Sequence, residues 1–158
     1  MSFIIEENKL YCDLDGVLVD FEKGVKERMG KLPEDLNQKY MWMTLRKTPN
    51  FYVNLPWMPE GKALWDAIKE FNPIILTGCP IGGWSEADKR IWCARELGAN
   101  IKVITCNTKD KPKFCSEGDI LIYDRDVIKD AWIAKKGKYL HYAEGNLEHY
   151  IKEIERYL

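Results

Sequence analysis

Leu10-Tyr11-Cys12-Asp13-Leu14-Asp15-Gly16-Val17-Leu18 decides the reading of this chain. A short apolar run without polar alternation suits a parallel strand covered on both faces. The run ends at Asp13, and Asp15 follows two residues later, so both acids project to the same side. Gly16 permits a sharp turn, and a helix is expected over Val17–Met29. Open α/β sheets place their ligands at this end of the strands. Two unpaired carboxylates this close repel unless one is protonated or a cation lies between them. Mg2+, with its demand for oxygen ligands, relieves that repulsion. The plainer alternative is an Asp-rich turn that only caps the helix.

Outward from this stretch, apolar runs alternate with helical patterns. Pro73 to Leu76 ends at Thr77-Gly78, and Ile101 to Thr105, Ile120 to Tyr123 and Tyr139 to Tyr142 follow. Between them the spacing predicts helices over Glu60–Phe71, Ser85–Leu97, Val127–Lys135 and Asn146–Leu158. Ser85 with Asp88 resembles a capping box, Gly98 is a helix stop, and Asn146 is a candidate cap. This order predicts a doubly wound α/β domain with a mainly parallel sheet of about five strands. The path from the first strand to the second exceeds the about 30 residues of a plain βαβ unit. Residues 31–58 are therefore expected to be a small helical insertion in a core formed by residues 1–30 and 59–158. The insertion holds Tyr40, Trp42, Phe51, Tyr52 and Trp57, with Met41, Met43 and Met58. These side chains form either a small core of their own or a cap whose aromatics wall a substrate site.

The chain has 158 residues, 24 Lys+Arg against 25 Asp+Glu, and a formal net charge of −1. That length suits one domain able to fold without disulfides or metal. Near-neutral charge argues against bulk capture of nucleic acid or of an acidic membrane, but leaves room for a local phosphate pocket. No run approaches the roughly 18 apolar residues of a membrane span. The Phe3–Ile5 run before Glu6 and Glu7 lacks the basic and long apolar regions of a secretory signal. Five cysteines (Cys12, Cys79, Cys93, Cys106, Cys115) form no CxxC pair. Cys12 and Cys93 read as small core residues, and the cytoplasm is the expected compartment.

Three further strand ends carry candidate chemistry. Thr77 and Gly78 supply a hydroxyl and free backbone N–H groups suited to a phosphate oxygen, although Thr-Gly after a strand is also an ordinary turn. Lys109, Lys111 and Lys113 precede the fourth strand; one can meet a phosphate, and the others belong to a solvated loop. Asp124 closes the fourth strand, where an acid is costly unless it faces a cation or donors, while Asp126 is placed to cap the next helix. His141 and His149 read as structural.

In this order, Asp13-Leu14-Asp15-Gly16-Val17, Thr77, a lysine near position 111 and Asp124 resemble the four motifs of the haloacid dehalogenase (HAD) superfamily. More narrowly, Asp13 to Phe21, the Leu55-Pro56-Trp57-Met58-Pro59-Glu60-Gly61 stretch and the Lys89…Trp92 pair resemble the 5′(3′)-deoxyribonucleotidase family. The resemblance implies a Mg2+-dependent phosphomonoesterase acting on nucleoside monophosphates. Asp13 would be the nucleophile and Asp15 the acid and base. Thr77, Gly78 and Lys111 would hold phosphate, with Lys113 the alternative to Lys111. The metal set would be Asp13, Asp15 (through its carbonyl) and Asp124. Phe21 and Trp42 would line the substrate pocket.

One position departs from that pattern. The nucleotidases end the fourth strand in two adjacent acids, the first of which binds metal, and here Tyr123 stands in that place before Asp124. The expectation is that Asp124 shifts to the ion or that metal affinity is weakened, because a phenol of pKa about 10 does not substitute at neutral pH. The alternatives are a nucleic-acid end phosphatase, another small-molecule phosphatase, and a degenerate, non-catalytic binding protein.

Overall fold

The computed structural model describes residues 8–158; the Phe3–Ile5 run and Glu6-Glu7 lie outside the described residues. Five strands form one sheet: β1 (Leu10–Cys12), β2 (Ile74–Gly78), β3 (Val103–Cys106), β4 (Ile120–Tyr123) and β5 (Lys138–His141). Every pairing is parallel and the order is β3-β2-β1-β4-β5. Among the described residues the six α-helices are α1 (Phe21–Met29), α2 (Gln38–Arg46), α3 (Gly61–Ile68), α4 (Glu86–Glu96), α5 (Lys129–Ala134) and α6 (Leu147–Tyr157). This is the doubly wound α/β architecture that the alternation predicts.

Residue alternation divides the core into two layers. Leu10, Cys12, Ile75, Ile120 and Ile122 face one side and join Val25, Leu64, Ile68, Trp92 and Ile154. Tyr11, Leu76, Leu121 and Tyr123 face the other and meet Ile128 and Trp132. The strands carry apolar side chains on both faces because helices cover both. Among the described residues no helix is long and apolar enough to cross a membrane.

Helix α1 starts at Phe21, not at Val17. Val17, Leu18 and Val19 are all fully buried, which one face of a helix does not allow for three consecutive residues. They fold instead into a tight loop in which Gly16 N–H donates to the Val19 carbonyl at 2.8 Å and Val19 N–H to the Leu14 carbonyl at 2.9 Å. The Asp20 carboxylate then caps α1 by accepting from Lys23 N–H at 3.0 Å. Helix α3 tightens into a 3₁₀ turn over Lys69–Phe71 and stops at Asn72, which is left-handed with φ 52°.

Residues 31–58 contain a 3₁₀ turn over Pro33–Asp35 and helix α2, which Asn37 caps through Tyr40 N–H. Their buried side chains Met41, Leu45, Phe51, Tyr52 and Leu55 belong to the same apolar cluster as the β1 face. The segment thus shares the main core and has none of its own. Trp92 ties it to α4, its indole N–H donating to the Leu55 carbonyl at 2.9 Å.

Two expected side-chain caps do not form. Ser85 and Asn146 precede α4 and α6 without a capping hydrogen bond from their side chains. Asp126 does not cap α5 either; its carboxylate lies 2.7 Å from His141 Nδ1 across the β4–β5 edge.

Candidate active site

The order of the sheet reverses at β1 and β4, and the crevice beyond their carboxyl ends is the expected ligand position. A cleft of about 420 Å³ opens there, lined by Asp13, Asp15, Gly78, Lys111 and Asp124 and, farther out, by Phe21, Trp42 and Tyr52. Strand ends therefore bring together residues from β1, β2 and β4 that are far apart in the chain.

Asp13 leaves β1 with only 3% of its surface exposed. Its Oδ1 accepts from Lys111 Nζ at 2.9 Å. Burial raises the Asp13 pKa, and the Lys111 charge works against that rise. Lys111 comes from the 3₁₀ turn Thr108–Phe114 and is itself buried. Lys113 points to solvent and pairs with Asp110 at 3.0 Å, and Lys109 is exposed. Of the three clustered lysines, Lys111 is the one that the fold turns inward.

Asp15 Oδ2 accepts from Lys89 Nζ at 2.9 Å, while its Oδ1 is buried without a partner among the described residues. Lys89, from α4, is fully buried and also donates to Thr77 Oγ1 at 3.0 Å and to the Gly78 carbonyl at 2.8 Å. Burial acts to lower the Lys89 pKa, but attraction to Asp15 outweighs it and the net shift is upward. The sequence reading left Lys89 out of the site. Its signal was a lysine aligned with Trp92 and Cys93 on the buried face of α4.

Gly16 has φ +81°, and a β-carbon there would overlap Asp124 Oδ2. The Asp124 carboxylate therefore lies directly against the first loop. It has no side-chain hydrogen bond or ion pair among the described residues, and burial followed by the Asp13 charge pushes its pKa up to about 6. A β-carbon on Gly78 would likewise overlap Thr108 Oγ1, so the strand end stays bare where the chain closes on the cleft.

No group of three or more His, Cys, Asp or Glu side chains able to hold a metal ion occurs among the described residues. Two of the three expected acids face lysines, Asp13 with Lys111 and Asp15 with Lys89. The donor set left for a cation is the free oxygen of Asp13, the Asp124 carboxylate and main-chain carbonyls. Two mutually repelling carboxylates with hard oxygen donors fit a small divalent cation.

Tyr123 is buried beneath Lys111, whose Nζ is 3.9 Å from the ring centroid. Burial, then Asp13 and Asp124, pushes the phenol up to about 12, so it is a neutral neighbour. At the outer end, Phe21 stacks on Trp42 with centroids 5.6 Å apart and on Tyr52 at 6.1 Å. Trp84 closes the group against Tyr52 at 5.5 Å and Trp42 at 6.4 Å. Phe21 and Trp42 line the cleft together with Tyr52, one of the insertion's aromatics, while Trp84 packs against Trp42 and Tyr52 without lining it.

No protein-family model matches this sequence. Among solved structures the chain is similar to a HAD hydrolase, family IA, variant 3, from Entamoeba histolytica HM-1:IMSS, with TM-score 0.46 and 12% identity over 84% of this chain and 82% of that one. It is also similar to a HAD family hydrolase from Deinococcus radiodurans R1 with bound phosphate and sodium, with TM-score 0.45 and 13% identity over 90% of this chain and 87% of that one.

Proposed function

We propose that this chain is a Mg2+-dependent phosphomonoesterase that hydrolyses nucleoside monophosphates through an aspartyl-phosphate. The supporting observation is the buried Asp13–Lys111 pair at the end of β1, with Asp15 beside it on the same cleft and the buried Thr77 hydroxyl joined to Asp15 through Lys89. With Oδ1 held by Lys111, Asp13 Oδ2 is the oxygen that attacks phosphorus as the bond to the leaving alcohol breaks. Asp15 gives its proton to that alcohol. It then takes one from water, whose oxygen attacks phosphorus and frees phosphate from Asp13. Thr77 and Lys111 stabilise the phosphoryl oxygens as charge develops. Asp13, Asp124 and the Asp15 carbonyl would hold Mg2+, which when bound would supply the positive charge that lets an anionic nucleophile approach an anionic phosphate.

Residues 31–58 serve in this reading as the cap. The ring group of Phe21, Trp42 and Tyr52 offers an apolar wall to a planar base, and a cleft of about 420 Å³ suits a mononucleotide better than a polymer. The test is phosphate release from deoxy- and ribonucleoside 5′- and 3′-monophosphates, with and without Mg2+, for the wild type and Asp13→Asn. Mg2+-dependent turnover that Asp13→Asn abolishes supports the assignment. Silence from folded protein across nucleotides and an aryl phosphate refutes it and leaves a phosphate-binding protein in its place, the reading that Tyr123 favours.

A further inference from the structure

We propose that Mg2+ and phosphate share one composite site in this chain, each supplying what the other lacks, and that Tyr123 is the residue that makes their binding interdependent. The inference rests on the phosphatase reading above and deepens it.

The charges at the strand ends are nearly spent inside the protein. Asp13 pairs with Lys111 and Asp15 with Lys89, both at 2.9 Å. Asp124 enters no ion pair among the described residues, so three carboxylates against two ammoniums leave one negative charge. The position before Asp124, at the end of β4, belongs to Tyr123. Its buried ring lies against Lys111, with the centroid 3.9 Å from Nζ, and gives that lysine a π face in place of a carboxylate. A dication therefore meets the Asp124 carboxylate, the second oxygen of Asp13 and the Asp15 main-chain carbonyl, which accepts no hydrogen bond among the described residues. Mg2+ demands about six oxygens in octahedral array and gives up water reluctantly. This donor set, with Asp13 already shared with a lysine, is a weak site by itself.

Phosphate alone fares no better. The three protons of the Lys89 ammonium go to Asp15 Oδ2 at 2.9 Å, Thr77 Oγ1 at 3.0 Å and the Gly78 carbonyl at 2.8 Å. Its side chain has no exposed surface. Lys111 keeps two protons for a ligand but already serves Asp13. The cleft otherwise presents Asp13, Asp15, Asp20, Glu22 and Asp124 against Arg125, so an anion entering without a cation is repelled. Phosphate brings the missing oxygens and negative charge, and the cation removes the repulsion. Coupling of this kind is reciprocal, and each ligand tightens the other by the same factor. An acid at position 123 would add a fourth carboxylate and give the cation a site without phosphate. The tyrosine withholds it.

The experiment is isothermal titration calorimetry with Mg2+ and inorganic phosphate, each alone and each with the other present at high concentration. Wild type is compared with Tyr123→Asp, Tyr123→Phe and Asp124→Asn. In the wild type, phosphate lowers the Mg2+ Kd by at least about fivefold, and Mg2+ lowers the phosphate Kd by the same factor. Tyr123→Asp binds Mg2+ alone at least about fivefold more tightly than wild type and shows a smaller coupling factor, whereas Tyr123→Phe matches wild type. Asp124→Asn weakens Mg2+ binding in the presence of phosphate by at least about fivefold. A wild-type factor below that size, or an unchanged Mg2+ affinity in either Tyr123→Asp or Asp124→Asn, overturns the proposal. Lost packing at position 123 does not raise metal affinity, so a merely structural role fails to give the expected gain. If Tyr123→Asp does not fold by circular dichroism, Tyr123→Asn, with an uncharged carbonyl oxygen, replaces it, and its affinity for Mg2+ alone must rise above that of wild type. Turnover of a nucleoside monophosphate and of p-nitrophenyl phosphate is measured alongside. Coupled binding without hydrolysis defeats the phosphatase reading and leaves this inference standing, while hydrolysis with uncoupled binding does the reverse.

Discussion

Lys111 Nζ lies 2.9 Å from Asp13 Oδ1 and 3.9 Å from the centre of the Tyr123 ring. Where an acid would pull on this lysine and compete with Asp13 for it, an aromatic face holds it weakly and without a formal charge. The hydroxyl of Tyr123 has no part in that contact. Tyr123→Phe is accordingly expected to keep kcat/KM within about twofold. Tyr123→Leu removes a cation–π contact worth about 1–2 kcal/mol and lowers kcat/KM by about tenfold. Steady-state kinetics on the two variants checks this, and equal losses would mean that the hydroxyl is what matters. Asp124 shows the complementary pattern, since it sits against Gly16 without a cationic side chain to pair with. Gly16→Ala would drive a methyl into Asp124 Oδ2 from an already left-handed backbone.

At the scale of elements, the loop between β1 and α1 governs how the site is assembled. Val17, Leu18 and Val19 spend three apolar side chains on a loop rather than a helix, and the Leu18 carbonyl receives Met58 N–H at 2.7 Å. Gly61, at the start of α3, lies against the same carbonyl; a β-carbon there would come within 2.6 Å of it. Gly61→Ala must push α3 away from the loop, and backbone does not give way as a flexible side chain does. The expected cost is about 1–3 kcal/mol. In a domain of this size that lowers the melting temperature by roughly 2–12 °C, at about 2–4 °C per kcal/mol. A differential scanning measurement checks it, and an unchanged melting temperature would show that α3 and the loop are not rigidly packed.

For the whole molecule, the site is a seam. Asp13 and Lys111 are 98 residues apart in sequence, and Asp15 and Lys89 are 74 apart, so ordering the cleft requires most of the sheet to be in place. A ligand that binds only this assembled seam stabilises the whole fold through linkage. Phosphate with Mg2+ at about 100 times its dissociation constant is expected to add about 2.7 kcal/mol. That corresponds to a rise of roughly 5–11 °C in melting temperature. Chelation of Mg2+ should remove most of the rise, and a shift of the same size in Asp13→Asn would place the phosphate elsewhere. Trp42→Ala, at the outer wall, is expected to raise KM for nucleotides while leaving it nearly unchanged for a small aryl phosphate.

The sequence alone determined what is local. Apolar runs three to five residues long marked the strands, and the residues just past them, Asp13, Thr77 and Asp124, fall at the carboxyl edge because strand ends do so in any parallel sheet. Period and turn chemistry act over a few residues, so the doubly wound order was legible before any contact was known. Only the tertiary structure decided the partners. It selected Lys111 over Lys113 and brought Lys89 onto Asp15 and Thr77. It also began α1 at Phe21 and paired Asp126 with His141 rather than with the helix it precedes. Each of these outcomes depends on which side chain a distant element buries, and burial is set by packing across the sheet, not by the neighbours along the chain.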